Sequence, residues 1–261
     1  MILDVQFNSA THSWPQMRDA VQAAEAARFG VAWVVDHMAG QVMSGTSMME
    51  CFTLAGALAA STSTIGIGTL VANVANRSLG ILAVAAATGQ EISGGRFWLG
   101  IGAGAPPGSP FGAEHAAVGI DLHPSLTARH QRVADFVLLA NQMWATGVIR
   151  GVSGFPVPQS PIPVIVGVNG KRLALLAAQH TDGINVRWNH PDLESIIGAA
   201  RQSREDSDKR TTPLIVTIWQ PFEEALLDPD GRDRRHYEQL GVDRLIVVRF
   251  DRARIDQIRA R

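Results

Sequence analysis

The chain has 261 residues, 46% hydrophobic and 18% charged, which is enough apolar material for a full core in one domain and excludes a disordered chain. With 23 Lys and Arg against 24 Asp and Glu, it offers no electrostatic handle for nucleic acid or an anionic membrane surface. Cys51 is the one cysteine, so an internal disulfide and a thiolate metal cluster are excluded; its use fits a reducing cytoplasm, and the residue reads as a small core side chain.

The start, MILDVQFNSAT, has no basic segment followed by a long apolar run, so no secretory leader is expected, and no stretch approaches the roughly 20 apolar residues of a membrane span. Ile2 to Phe7 reads as a first strand. Ser13-Trp14-Pro15-Gln16 has the spacing of a capping box, Met17, Val21, Ala24 and Ala27 follow at helical spacing, and Gly30 is expected to stop that helix. Val31 to Val35 is a second strand, ending at Asp36-His37. Ile65 to Val71 and Phe97 to Ile101 are the third and fourth, separated by an alanine-rich segment of helical length. They form one βαβ unit, which puts Leu70 to Asn76 and Gly102 to Gly108 at the end of a parallel sheet where ligands sit.

From Ala105 to Pro161 the rhythm breaks. APPGSPFG is loop, Ser125 to Thr146 is a long helix with Val133, Val137, Ala140 and Trp144 on one stripe, and GVSGFPVPQSPIP is a connection. Alternation then resumes with a strand Pro163 to Val166, a helix Lys171 to His180, a strand Gly183 to Val186, a helix Asp192 to Ser203 and a strand Leu214 to Trp219. Glu223 to Leu240 reads as partly helical, Leu245 to Phe250 as a strand and Ala253 to Ala260 as a last helix. Eight strands, nearly all followed by helices and with no long linker, predict an α/β chain forming a single (β/α)8 TIM barrel domain over residues 1–261. An open doubly wound sheet is the alternative; the absence of Gly-x-Gly-x-x-Gly after the first strand weighs against it.

Three places can carry chemistry. Asp36-His37 directly follows a strand, where an imidazole can exchange a proton near neutral pH, or where the pair simply anchors a loop. Gly102, Ala103, Gly104 and Ala105 are small enough for a flat ring or a pyrophosphate to approach the backbone, or make a tight connection. Gly167, Val168, Asn169 and Gly170 run from a strand straight into a helix beginning Lys171-Arg172, so main-chain N–H groups and the helix end can face a phosphate. Glu114, His115, His123 and His130 lack metal-ligand spacing and read as surface or lid residues. Trp14, Met38, Met43, Met48 and Phe111 are candidates for an apolar substrate wall.

VAWVVDH, STSTIGIGTLVANVANR, EISGGRFWLGIGAG and PIPVIVGVNGKRLALLAAQHTDGI together resemble the bacterial luciferase-like monooxygenase family, closely over residues 2–190 and more loosely beyond. The resemblance implies a luciferase-like barrel, an oxidoreductase in which the deazaflavin coenzyme F-420 exchanges a hydride with a small-molecule substrate, and Asp36 and His37 beside the ring. It implies a bulge, often with a cis peptide bond, at Leu70-Val71 behind the ring, with Asn73 and Gly102 to Gly104 completing the wall and a phosphate at Gly167 to Gly170. Arg77, Lys171, Arg172 and Arg187 fall on expected loops at one barrel end, where they either meet a phosphate and the coenzyme's acidic tail or are ordinary surface charges. FMN with monooxygenase chemistry, or flavin binding without turnover, are the alternatives; barrels of the family commonly pair through helices near the second and third strands, so a homodimer is one expected state beside a monomer, in the cytoplasm that the absence of a leader and a span suggests. Two departures stand out. Ala105 occupies the place where some deazaflavin alcohol dehydrogenases carry a glutamate as second acid/base, so a proton partner is missing there, and Ser78 follows Arg77 where the family often has proline.

Overall fold

The alternation of short apolar runs and helical segments closes, in the computed structural model, into a parallel barrel; the structure describes residues 1–209 and 211–249. In chain order the elements are β1 (Ile2–Phe7), α1 (Trp14–Ala26), β2 (Val31–Val34), α2 (Cys51–Ala60), β3 (Gly66–Asn73), α3 (Leu79–Ile92), β4 (Phe97–Gly102), α4 (Ala113–Ala117) and α5 (Leu126–Thr146). A hairpin follows, β5 (Val148–Ile149) with β6 (Val152–Ser153), then β7 (Val164–Val168), α6 (Lys171–His180), β8 (Gly183–Arg187), α7 (Leu193–Glu205), β9 (Ile215–Pro221), α8 (Arg232–Gln239) and β10 (Arg244–Arg249). The barrel runs β1-β2-β3-β4-β7-β8-β9-β10, and β10 closes it by pairing in parallel with β1 from Ile2 opposite Arg244 to Phe7 opposite Arg249. The open sheet is thereby excluded. The expected last helix, Ala253 to Ala260, and Phe250 lie outside the described residues.

The capping box forms: the Ser13 backbone N–H donates to Gln16 Oε1 at 2.9 Å. Gly30 does not stop α1, however. The helix ends at Ala26 and Arg28 takes the left-handed turn at φ 61°. Gly30 serves close packing instead, since a Cβ there would fall 2.7 Å from Asp4 Oδ1. On α5, Val133, Val137 and Ala140 are buried as their stripe predicts, joined by Phe136 and Met143, while Trp144 is half-buried and donates Nε1–H to the Ala83 carbonyl at 3.1 Å. Helix α2, α4 and the β5–β6 hairpin carry no strong period and were not anticipated as elements.

Two cores result. Between the strands and their helices lies a large aliphatic and alanine-rich layer; inside the barrel, Val31, Trp33, Leu70, Ile165 and Ile246 form a second, smaller cluster with Trp98, Ile215 and Trp219 against it. Gly68 makes room there for Trp33, because an added Cβ would stand 2.6 Å from its ring. At the lower end of the barrel Asp4, fully buried, accepts Arg244 Nη2–H at 2.7 Å and Nε–H at 2.8 Å, Trp33 Nε1–H at 3.1 Å and the Val31 N–H at 2.9 Å. Burial pushes the Asp4 carboxyl above its usual range, against the opposing pull of Arg244, Trp33 and Val31. The Arg244 guanidinium lies 4.6 Å over the Trp98 ring, so the barrel base is plugged. No helix among the described residues is long and apolar enough to cross a membrane.

Candidate functional site

Of the first four strands, β3 and β4 run on into their loops, while β2 stops at Val34. β3 extends two residues beyond Val71, and the ladder with β4 shifts register between Thr69 and Ala72. The expected bulge is present, and the Leu70-Val71 peptide bond is cis. Gln6, projecting from β1 one layer above Asp4, donates Nε2–H to the Leu70 carbonyl at 2.6 Å, and Asp36 Oδ2 accepts the Asn73 N–H at 2.9 Å. The bulge is therefore tied from both sides.

A cavity of about 780 Å³ opens at the carboxyl ends of the strands. Asp36 and His37, Leu70, Val71 and Asn73, the Gly102-Ala103-Gly104 turn, and the loop Gly167-Val168-Asn169-Gly170 all line it. The glycines act differently from the expectation that they bare the backbone to a ligand. A Cβ on Gly102 would stand 2.6 Å from Val71 Cγ2 and one on Gly167 3.0 Å from Val71 Cγ1, so these two glycines seat the Val71 side chain as a platform. Gly104, at φ 69°, brings its backbone against Asn73. Only Gly170 faces open space.

The two halves of Asp36-His37 have different surroundings. Asp36 accepts Arg77 Nη1–H and Nη2–H, each at 2.8 Å, along with the Asn73 N–H, and its carboxylate is therefore fully engaged. Arg77 also reaches Glu50 at 3.2 Å, so it is a structural cation rather than a free phosphate ligand. Arg187 lies 5.6 Å over Trp219 and is absent from the cavity lining. His37, by contrast, lies against the Phe111 ring with centroids 5.5 Å apart and directs Nδ1 to Glu114 Oε1 at 2.7 Å.

Glu114 and His115 are corrections to the sequence reading, which placed both on the surface or in a lid. Helix α4 does cover the cavity, but the two side chains are buried beneath it. Glu114 Oε2 accepts the N–H groups of Met38 and Ala39 at 2.8 and 2.9 Å. His115 directs Nδ1 to the Phe111 carbonyl at 2.9 Å and sets Nε2 between Asn76 Oδ1 at 2.7 Å and Asn73 Nδ2 at 2.9 Å. His130, read as a surface or lid residue, lines the cavity, while His123 is exposed. Their helix is too short and their spacing too irregular to betray a site; a carboxylate ten residues past the Gly104 turn was the available signal.

Burial works against the charge of Glu114, but the hydrogen bonds from His37, Ala39 and Met38 outweigh it and hold the carboxyl below the usual 4.5. An acid lowered on folding stabilises the fold above its unfolded value and loses that contribution as pH falls through the folded one. The α4 cover is accordingly expected to loosen below about pH 4.5, seen as faster hydrogen exchange at the Met38 and Ala39 amides relative to amides in β7.

The far wall is basic. Arg129, His130, Lys171 and Arg172 line it together, with no salt bridge on any of them among the described residues. Arg129 Nε and His130 Nδ1 are buried without a hydrogen-bond partner, and burial, Arg172 and Arg129 together push the His130 imidazole below its usual range. This wall fits an anion. Of the five residues proposed for an apolar substrate wall, only Phe111 lines the cavity. Trp14 and Met49's neighbour Met48 pack elsewhere, the latter with its sulfur 3.2 Å from Ser9 Oγ. Among the described residues there is no group of His, Cys, Asp and Glu that could hold a metal ion.

The chain is 27% identical over 195 residues to a 5,10-methylenetetrahydromethanopterin reductase of Methanolobus tindarius, covering 71% of this chain and 56% of that protein. It is 30% identical over 173 residues to an F420-dependent hydroxymycolic acid dehydrogenase of Mycobacterium tuberculosis, covering 62% and 46%. The chain thus spans about half the length of these curated relatives. Its fold superposes on the coenzyme F420 dependent tetrahydromethanopterin reductase from Methanopyrus kandleri with a TM-score of 0.73 at 14% identity, over 98% of this chain and 96% of that one. The luciferase-like monooxygenase family model matches residues 3–248, the whole barrel from β1 to β10, and the chain belongs to that family.

Proposed function

We propose that the protein is an oxidoreductase that binds the deazaflavin coenzyme F-420 at the mouth of its barrel and exchanges a hydride between it and a small organic substrate. One observation carries this reading. A single cavity joins the Val71 platform, the His37 imidazole and a basic wall, free of salt bridges among the described residues, at Arg129, His130, Lys171 and Arg172. The residues suit the coenzyme: a platform for a flat ring at one end and cations for its phosphate and acidic tail at the other. The names of the relatives lend support.

When bound, the coenzyme supplies the hydride. The protein's part is to hold and orient. Val71 and Asn73 support the ring, Gly167 to Gly170 and the basic wall take the anionic end, and α4 with Phe111 limits water at the reacting centre. His37 exchanges the substrate proton at Nε2, the ring nitrogen that Glu114 leaves to the cavity. Asp36 acts through Arg77 and Asn73 as an anchor of the bulge. A cytoplasmic homodimer, joined through α2 and α3 where Ile81 and Ile92 are exposed, completes the proposal.

FMN is the competing cofactor, and it would bring oxygen chemistry that deazaflavin, lacking the reactive ring nitrogen, does not. Titration of the purified protein with each cofactor, followed by ring fluorescence, decides between them. The expected result is saturable deazaflavin binding and no FMN binding; the reverse would establish the monooxygenase reading, and deazaflavin binding without reduction of any substrate tried would leave only a carrier.

A further inference from the structure

The family resemblance pointed to a missing acid at Ala105, yet the cavity holds a buried carboxylate that reaches the imidazole from another direction. We propose that Glu114 is a positioning residue which fixes His37 as the tautomer with the proton on Nδ1, so that the Nε2 lone pair is presented to the cavity, and that this arrangement exists only while α4 is docked. The inference deepens the reading of His37 given above.

The geometry leaves little choice of proton placement. The Glu114 side chain is 1% exposed and its Oε2 already accepts two backbone N–H groups, from Met38 and Ala39. Oε1, 2.7 Å from His37 Nδ1, is left as an acceptor, and an ionised carboxylate has no proton to give. Nδ1 must therefore be the donor. In a neutral ring with Nδ1–H, the only lone pair in the ring plane is on Nε2. When that nitrogen takes a proton from a substrate hydroxyl, the positive charge formed on the ring faces the carboxylate. No atom of Glu114 need touch the substrate.

The same carboxylate binds α4 to the loop that carries the histidine, and the next residue binds α4 to a second loop. His115 is buried among Phe111, Asn73 and Asn76, and Asn76 in turn donates Nδ2–H to the Asp36 carbonyl at 3.0 Å. Lifting α4 would separate Glu114 from His37 together with its two amides. The ring would then be free to exchange tautomers and to rotate, and the proton acceptor would lose its fixed direction.

The test needs no substrate and no coenzyme. Two-bond proton–nitrogen correlation spectra of the uniformly nitrogen-15-labelled protein at pH 8 separate the two neutral imidazole tautomers, with His37→Ala assigning the signal. The expected result is the Nδ1–H pattern for His37. In Glu114→Gln the amide oxygen stays with the Met38 and Ala39 N–H groups and the NH2 turns to the ring, so the pattern should invert to Nε2–H. The Met38 and Ala39 amides should exchange within about tenfold of wild type in that variant, and at least tenfold faster in Glu114→Ala. A wild-type His37 in the Nε2–H form would overturn the proposal even if no variant folds, as would an unchanged tautomer in Glu114→Gln. Neither outcome depends on which cofactor the cavity takes, so a failure here is distinct from a failure of deazaflavin to bind.

Discussion

Arg244→Leu should lower the stability of the protein by about 3–5 kcal/mol at neutral pH, the largest single effect expected from any substitution outside the cavity. The residue lies at the start of β10, and its guanidinium forms both of the close ion-pair contacts to Asp4. Removing it strands a carboxylate that is 0% exposed among Trp33, Val31 and Ile246, with only two neutral N–H donors left to it. The pH dependence has a definite sign. An acid raised on folding leaves the native state holding a proton that the unfolded chain has released, so stability declines as pH climbs from the usual 3.8 toward the folded value. The deficit of the variant should therefore shrink toward pH 4 and grow toward pH 8. Urea unfolding at both pH values checks this, and Asp4→Leu combined with Arg244→Leu should regain most of the loss, because no charge is then left in the interior. A deficit independent of pH would mean that lost packing on Trp98, rather than the stranded charge, dominates.

His37→Ala should slow turnover by about 10²-fold or more while leaving deazaflavin affinity nearly unchanged. The imidazole meets the cavity beside Phe111, whereas in the proposed reading the ring rests on Val71 and the anionic end meets Gly167 to Gly170 and the basic wall. That reading gives binding and proton exchange to different residues. Following deazaflavin absorbance under saturating coenzyme separates kcat from binding, and the variant should also lose the pH dependence that a single proton acceptor imposes. An unchanged rate removes His37 from the reaction and leaves the cavity with no assigned proton acceptor.

The barrel was readable from the chain because each wall strand is an apolar run of a few residues, and covered strands must be apolar on both faces. The strand ends were less readable for the same reason. β3, β4, β7, β8 and β9 continue into Asn73, Gly102, Val168, Arg187 and Pro221, beyond the apolar runs that mark them. Backbone ladder bonds do not depend on hydrophobicity, so pairing continues where the hydrophobic signal has stopped. The cavity wall at Leu70-Val71, Gly102 to Gly104 and Gly167 to Gly170 was legible as a set of loops at one end of parallel strands. What Gly102 and Gly167 accommodate was not, since their partner is Val71, a residue distant in sequence from both.

Glu114 shows the limit more sharply. Its helix has five residues, no apolar stripe and no side-chain cap, and nothing local marks the carboxylate as buried. Its partner His37 is 77 positions earlier, and only closure of the barrel brings the two loops within reach. Arg129 and His130 were hidden differently. They belong to the polar face of a long helix that looks solvated until Lys171 and Arg172 are seen opposite them.

With Asp4, Arg244 and the two tryptophans corking the lower end and Leu70, Ile165 and Ile246 packed above them, no passage runs through the barrel axis, and whatever the cavity takes reaches it from the upper rim.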